Sequence, residues 1–229
     1  NSQIYSGCSH FFHLDFEIKN KKDSLKINKK KILDVLKICS KNKIKLIFPS
    51  TSSYKYNNKN KKTSNSIFAL NEYSKSKIQC EKQIINYNKR LKLNFLIFRI
   101  FNVYGKDLKN RGVVAALFKR FKKNKEIKLK NSENLRDFIN IDDLLNLFFK
   151  SLKVNKNGIF DVGTESILSI KDLAFKIKKI HNFRCKINCV KPLKSSQNYY
   201  SKSDTKKTKK IFSWRPLIKI NDGLKNIKI

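Results

Sequence analysis

With 229 residues, 40% of them hydrophobic and 11% aromatic, the chain can pack one large or two small domains and is too apolar to be disordered. No apolar run nears the roughly 20 residues that cross a bilayer, and the opening NSQIYSGCSH lacks a secretory signal's basic flank and apolar core, so a cytoplasmic protein without a membrane partner is expected. The net charge of +36 raises nucleic acid as a partner, yet the excess is mostly scattered lysine and arginine is scarce, which predicts a solvated basic surface with no specific nucleic acid.

In chain order, CSHFFHL (Cys8 to Leu14) reads as a short buried strand. Asp23 to Ser40 carries Leu25, Ile32, Leu33, Leu36 and Cys39 on one face, which predicts a helix. KIKLIFPS predicts a strand from Ile44 to Phe48, halted by Pro49, and Lys55 to Ser66 reads as a surface loop. A helix containing Tyr73, Ile84 and Tyr87 runs to about Lys89, and Leu93 to Ile100 is another buried strand. Strands alternating with helices of this length imply crossovers and a parallel sheet.

After Gly105 the elements shorten. Val113 to Lys123 predicts a helix, IKLK a strand, and Ile141 to Leu152 a helix with Asp142 and Asp143 in its first turn. GIFDVG reads as a strand, SIKDLAFKIKKI as a helix capped by Ser169, and a last short helix starts at Asp222. The expected division is 1–105 and 106–229, with some later segments returning to the main sheet.

Five cysteines, at 8, 39, 80, 185 and 189, are an odd number in mostly apolar settings, which suits reduced thiols. His181, Cys185 and Cys189 form an H-x3-C-x3-C string without a fourth ligand, and CKINCV alternates like a strand, so no metal is expected. The chain has no Met and only 6 Gly, and reads as a piece of a longer frame.

Chemistry enters at NEYSKSK, where Tyr73 and Lys77 stand one helical turn apart on one face. A free phenol titrates near 10; an adjacent ammonium favours the phenolate and makes it a usable base. Thr51 follows a predicted parallel strand, where such sheets place ligands. In so lysine-rich a chain, Y-x-x-x-K alone equally describes a core tyrosine beside a solvated lysine. The order strand, hydroxyl cluster, loop, Tyr–Lys helix, strand is the stronger signal.

These residues resemble the extended short-chain dehydrogenase/reductase family in its nucleotide-sugar epimerase/dehydratase branch. PSTSSYKY is similar to its S-[ST]-x-x-V-Y-G, with Thr51 at the hydroxyl position, and YSKSK with Glu81 to its Y-x-x-S-K-x-x-x-E. FRIFNVYG, LRDFINIDDL, IFDVGTESILSIKDLA, DTKKTKKIFSWRP and SLKINKKKILDVLKIC (with Asn28 in register) resemble further motifs in the family's order. The resemblance implies an α/β fold: a Rossmann-like parallel sheet lacking its first strands and glycine-rich loop, with a smaller C-terminal substrate lobe. It implies NAD as cofactor (NADP left open), a nucleotide-sugar substrate, and a homodimer through the helices at about 24–40 and 71–89. By the same resemblance Tyr73 is the acid/base, Lys77 holds the nicotinamide ribose, and Thr51 binds the sugar hydroxyl. His13, Leu14, Ile100 and Phe101 line the cofactor; Ser52, Ser53, Asn102 and Arg136 serve the substrate. Asn102 as a plain turn residue and Arg136 as an ion pair with Asp137 are the structural alternatives.

The departures also matter. Ser52 and Ser53 stand where the family's 4,6-dehydratases carry Asp-Glu, so elimination lacks its acid and base and epimerisation through a transient keto sugar is favoured. His13 to Phe16 is HLDF where the family has H-x-A-A, which puts an acid, Asp15, along the cofactor. No G-x-x-G-x-x-G occurs, and the first strand corresponds to the family's fourth, so this chain is expected to bind NAD poorly and to turn over slowly or not at all. The late R-P-x-D clamp has no counterpart unless Lys191 or Lys194 substitutes. The rival readings are another sugar-nucleotide dehydratase, decarboxylase or reductase of the same family, a basic nucleic-acid-binding protein on a decayed fold, and a nonfunctional fragment.

Overall fold

The structure is a computed structural model that describes residues 5–18, 23–56, 67–69, 71–106, 112–190 and 200–227, with backbone alone at 54–56 and 67–69. The predicted loop over 55–66 lies largely outside the described residues, as do Lys191 and Lys194. The chain forms two compact units: Asn1–Ile100 with Val154–Phe160, and Phe101–Lys153 with Asp161–Ile229.

The first unit opens with β1 (His10–Phe12), shorter than the predicted Cys8–Leu14, and α1 (Ser24–Lys41). Next come β2 (Lys45–Thr51), a small antiparallel pair β3 (Tyr54–Tyr56) and β4 (Ile67–Ala69), α2 (Glu72–Leu91) and β5 (Phe95–Ile100). β1 and β5 flank β2, both parallel to it. One face of α1 (Ile32, Val35, Leu36, Cys39) and one of α2 (Cys80, Ile84) cover Leu46, Phe48, Phe95 and Ile97. The helical stripe and the strand alternation therefore meet in one core.

Pro49 does not halt β2; it pairs across from Phe98 and the strand continues to Thr51. The carbonyl of Pro49 accepts from Lys77 Nζ, so this residue's polar edge faces away from β5. β1 has already left β2 after Ile47. The missing N–H therefore breaks no ladder bond.

The second unit starts with β6 (Asn102–Tyr104), α3 (Gly112–Lys123), β7 (Glu126–Leu129), β8 (Leu135–Asn140) and α4 (Ile141–Ser151). β9 (Gly158–Val162) then follows, and its first residues belong to the first unit, where it pairs β5. The chain continues through β10 (Ile167–Ser169), α5 (Ile170–Ile180), β11 (Lys186–Cys189), β12 (Tyr200–Ser201), α6 (Lys206–Phe212) and α7 (Ile220–Lys225). β8 is the hub strand: β10 pairs it antiparallel, and β12 and β6 pair it parallel. β11 and β7 form a separate parallel pair. Ser169 caps α5 as its spacing predicted, accepting from Asp172 N.

Two buried carboxylates organise this unit. Asp137 on β8 accepts from the backbone and hydroxyl of Thr164, from Glu165 N, and from the backbone and hydroxyl of Ser203, at 2.5–3.2 Å. Asp143 in α4 accepts from Leu217 N and Ile218 N, while its carbonyl takes the indole N–H of the buried Trp214. The alternative of a surface ion pair between Arg136 and Asp137 is therefore replaced: the Asp137 side chain is fully buried among hydroxyl and backbone donors.

Glu165 has a left-handed backbone, φ 63°, which costs a non-glycine residue energy. Its carboxylate offsets that cost by accepting from Thr205 N and Oγ1 at the start of α6, a helix the sequence reading missed, and from Lys209 Nζ in its last turn. Burial pushes this carboxyl's pKa up, but the Lys209 and Thr205 hydrogen bonds outweigh it and hold the group at about 2.

Two predictions follow from these anchors. A Cβ at Gly163 would lie 2.5 Å from Ser203 Oγ and 2.7 Å from Asp137 Oδ2, so Gly163→Ala should cost about 2–4 kcal/mol; an unchanged urea midpoint contradicts this. Because Glu165 is depressed, its contribution is present above the ordinary 4.5 and is lost as pH falls toward 2. The stability gap between wild type and Glu165→Gln should therefore close over that window in acid titrations followed by circular dichroism.

Candidate active site

Helix α2 is docked before it is functional. Asn71 caps it, accepting from Ser74 N while Ser74 Oγ takes the Asn71 N–H, so the first turn is fixed in place. Farther along, the buried Glu81 accepts from Arg99 Nε and Nη2 on β5 and from Ser50 Oγ on β2. This triad ties α2 across the two central strands at their carboxyl ends. Lys77 lies one turn before Glu81, and Tyr73 one turn before that.

The Lys77 side chain is buried. Its ammonium donates to Pro49 O at 2.7 Å, its one hydrogen-bond acceptor among the described residues. Around it stand the rings of Phe16 at 3.9 Å, Phe48 at 4.5 Å and Tyr73 at 5.9 Å to their centroids. Burial lowers the Lys77 pKa to about 8 against the opposing influence of Cys80 and Glu81. The half-buried Tyr73 meets Phe16 edge-on at 5.6 Å. The reading of Lys77 as a merely solvated lysine does not describe this environment.

Thr51 lies two residues beyond Pro49, buried at the end of β2, and its Oγ1 accepts from Ser53 N at 3.1 Å. Ser52 is buried and bonds back to Ile100 O through its N–H. His13 follows β1 and stacks on Phe48; its Nε2 is buried and finds no partner among the described residues. Burial first, then the charge of Lys77, push the His13 pKa down to about 4, so the ring is neutral at pH 7. Leu14 and Asp15 are exposed, and the Asp15 carboxylate pairs outward with Lys31 at 2.8 Å. Ile100 is half-buried at the end of β5. The first unit thus gathers His13, Tyr73 and Lys77 around Phe48 and Pro49, with Thr51 on the same strand end.

In the second unit Phe101 is buried. Asn102 is a strand residue, not a turn: its Nδ2 donates to Asp137 O at 2.8 Å, and its Oδ1 lies 3.5 Å from Arg136 Nη1. An open groove of about 1050 Å³ in this unit is lined by Phe138, Thr164, Lys176, Lys219 and Asp222 among others, and none of the candidate site residues lines it. Phe16 was missed; an aromatic in the HLDF segment was the available signal.

A buried ammonium titrating near 8 rather than 10.5 costs stability below pH 8, since the folded state gives up that proton before the unfolded state does. Lys77→Met should raise the unfolding free energy measured in urea at pH 7 by on the order of 1–3 kcal/mol, and the advantage should shrink between pH 8 and 10.5. A lower midpoint at pH 7 shows that the Pro49 and ring contacts outweigh burial.

Comparison with known proteins bears on this geometry. The model of the NAD dependent epimerase/dehydratase family matches residues 9–163. The ADP-L-glycero-D-manno-heptose-6-epimerase of Brachyspira hyodysenteriae is 31% identical over 207 residues, covering 84% of this chain and 64% of that protein. A putative UDP-glucose 4-epimerase of Methanocaldococcus jannaschii is 30% identical over 162 residues, covering 69% and 52%. The chain spans less than two thirds of the length of these curated relatives. The fold matches that of a UDP-glucose 4-epimerase from Thermotoga maritima, solved with UDP-glucose, with a TM-score of 0.84, 24% identity, and coverage of 98% of this chain and 78% of the other. A buried lysine one turn from a tyrosine at a parallel strand end, on a chain matched over more than half its length, leads to one assignment: this protein belongs to the NAD dependent epimerase/dehydratase family.

Proposed function

We propose that the protein contributes the catalytic residues for epimerisation of a nucleotide-activated sugar. The observation that carries this reading is the Lys77 ammonium, held by Pro49 O at the end of β2 one helical turn from Tyr73. A ribose offers two hydroxyls, and Lys77 has two N–H bonds beyond the one given to Pro49, so the donor set fits the ribose end of NAD. When bound, NAD supplies the acceptor that takes a hydride from the sugar carbinol and returns it to the other face.

The protein's residues do the rest. Tyr73, as phenolate, takes the proton from the sugar hydroxyl and gives it back after the ketone has turned over. Lys77 stabilises the phenolate with positive charge held close by. Thr51 holds the sugar oxygen. In the second unit we assign Arg136 to the diphosphate, which a guanidinium can clamp, and Asn102 to the nucleotide sugar. Ser52 and Ser53 supply no carboxylate for elimination, which favours epimerase over dehydratase. We also propose a homodimer through α1 and α2, and a reducing cytoplasm suited to five unpaired cysteines; no helix among the described residues is long and apolar enough to cross a membrane.

The test is product analysis by NMR and mass spectrometry with NAD and a panel of sugar nucleotides. An epimer of unchanged mass is expected, with turnover reduced at least about 100-fold in Tyr73→Phe while nucleotide-sugar binding persists. Loss of water or carbon dioxide from the sugar indicates the dehydratase or decarboxylase reading instead. Epimer formation indifferent to Tyr73→Phe overturns the assignment.

A further inference from the structure

The catalytic lysine's surroundings carry one more consequence, which rests on the reading above. Beyond the Pro49 carbonyl, Lys77 Nζ is met by the faces of Phe16 and Phe48. Phe48 lies in the middle of β2 and is wholly buried, so it cannot move aside. Phe16 is different. It is half-buried in the segment His13–Ile18, which is neither helix nor strand, between the exposed Asp15 and residues fastened to α1. The fastening is Asn28, whose side chain accepts from Glu17 N at 2.8 Å and donates to Glu17 O at 3.0 Å and Ser76 Oγ at 3.2 Å. The backbone beside Phe16 is thereby pinned to both helices, while the ring has only packing and the cation–π contact to hold it.

We propose that Phe16 is a gate on Lys77: its ring covers the ammonium face that a ribose diol must reach, and ligand binding requires the ring to rotate away. An aromatic face attracts an ammonium electrostatically, most strongly when water is excluded, so ring and diol compete for one charge. Asn28 is the positioning residue that aims the ring. The closed arrangement also keeps water off Lys77 until a ligand replaces the ring. A closed gate lowers apparent ligand affinity by the fraction of molecules that are open.

The test reads Lys77 itself. Acetic anhydride is applied at pH 8 to wild type, Phe16→Ala and Phe16→Leu, and acetylation of individual lysines is followed by peptide mass spectrometry. Lys77 should react about tenfold faster in Phe16→Ala, with Phe16→Leu in between, because leucine keeps bulk and loses the ring face. The exposed Lys75 should be unchanged, and the buried Lys45 should stay slow as a check on folding. If Lys45 also speeds up in Phe16→Ala, that variant has opened its core and Phe16→Leu decides. Equal Lys77 rates in folded variants and wild type overturn the gate. NAD should protect Lys77, and at lower concentration in the variants than in wild type. Because weak NAD binding is expected of this chain, NAD is raised to the highest soluble concentration; faster Lys77 acetylation with no protection there in any of the three keeps the gate and overturns the cofactor reading.

Discussion

The carboxylate of Glu81 is the contact on which the arrangement of Tyr73 and Lys77 rests. Glu81, on helix α2, joins both central strands, through Arg99 on β5 and Ser50 on β2. A buried charge without partners is prohibitively costly, so the helix has one axial position and one rotation in which Glu81 is satisfied. Lys77 and Tyr73, one and two turns away, inherit that position. The strand end presents Pro49 O to Lys77 for the same reason. The chemistry proposed for Tyr73 therefore depends on the ion pair between Glu81 and Arg99.

The second unit uses the same device with a different acid. Asp137 joins β8 to the turn after β9 and to the segment that follows β12, and Asp143 fastens the stretch around Trp214. The chain has only 17 acidic residues against 53 basic ones. Several of those acids are turned inward, where each satisfies two or more donors. Lysine is left to dominate the surface, which enlarges the basic excess that first suggested nucleic acid.

What the sequence made legible was what periodicity and local motifs encode. α1, α2, α3 and β5 fall within a residue or two of their predicted bounds because each apolar stripe faces a core, that of the first unit for α1, α2 and β5 and that of the second for α3. Tyr73 and Lys77 could be paired because four residues on a helix is a local distance. Phe16 could not be read this way, since its partner Lys77 is remote in sequence and its own segment has no period. The same holds for Asp137, whose partners lie 27 and 66 residues away. α6 has seven residues, four of them lysine, and owes its start to Glu165, 40 positions earlier. Pro49 was misread because a proline's tolerance depends on which side of a strand is bonded, and that is settled only by the neighbours.

Pro49 has an effect beyond its contact with Lys77. Beyond Ile47 the flank of β2 that β1 abandons has no strand beside it among the described residues. Such a margin invites foreign chains to pair with it and seed aggregates, a hazard for apolar strands such as this one. Proline offers an intruder no amide hydrogen there, and its oxygen is already taken by Lys77. The residue whose carbonyl holds Lys77 thus also keeps the margin from acting as a template.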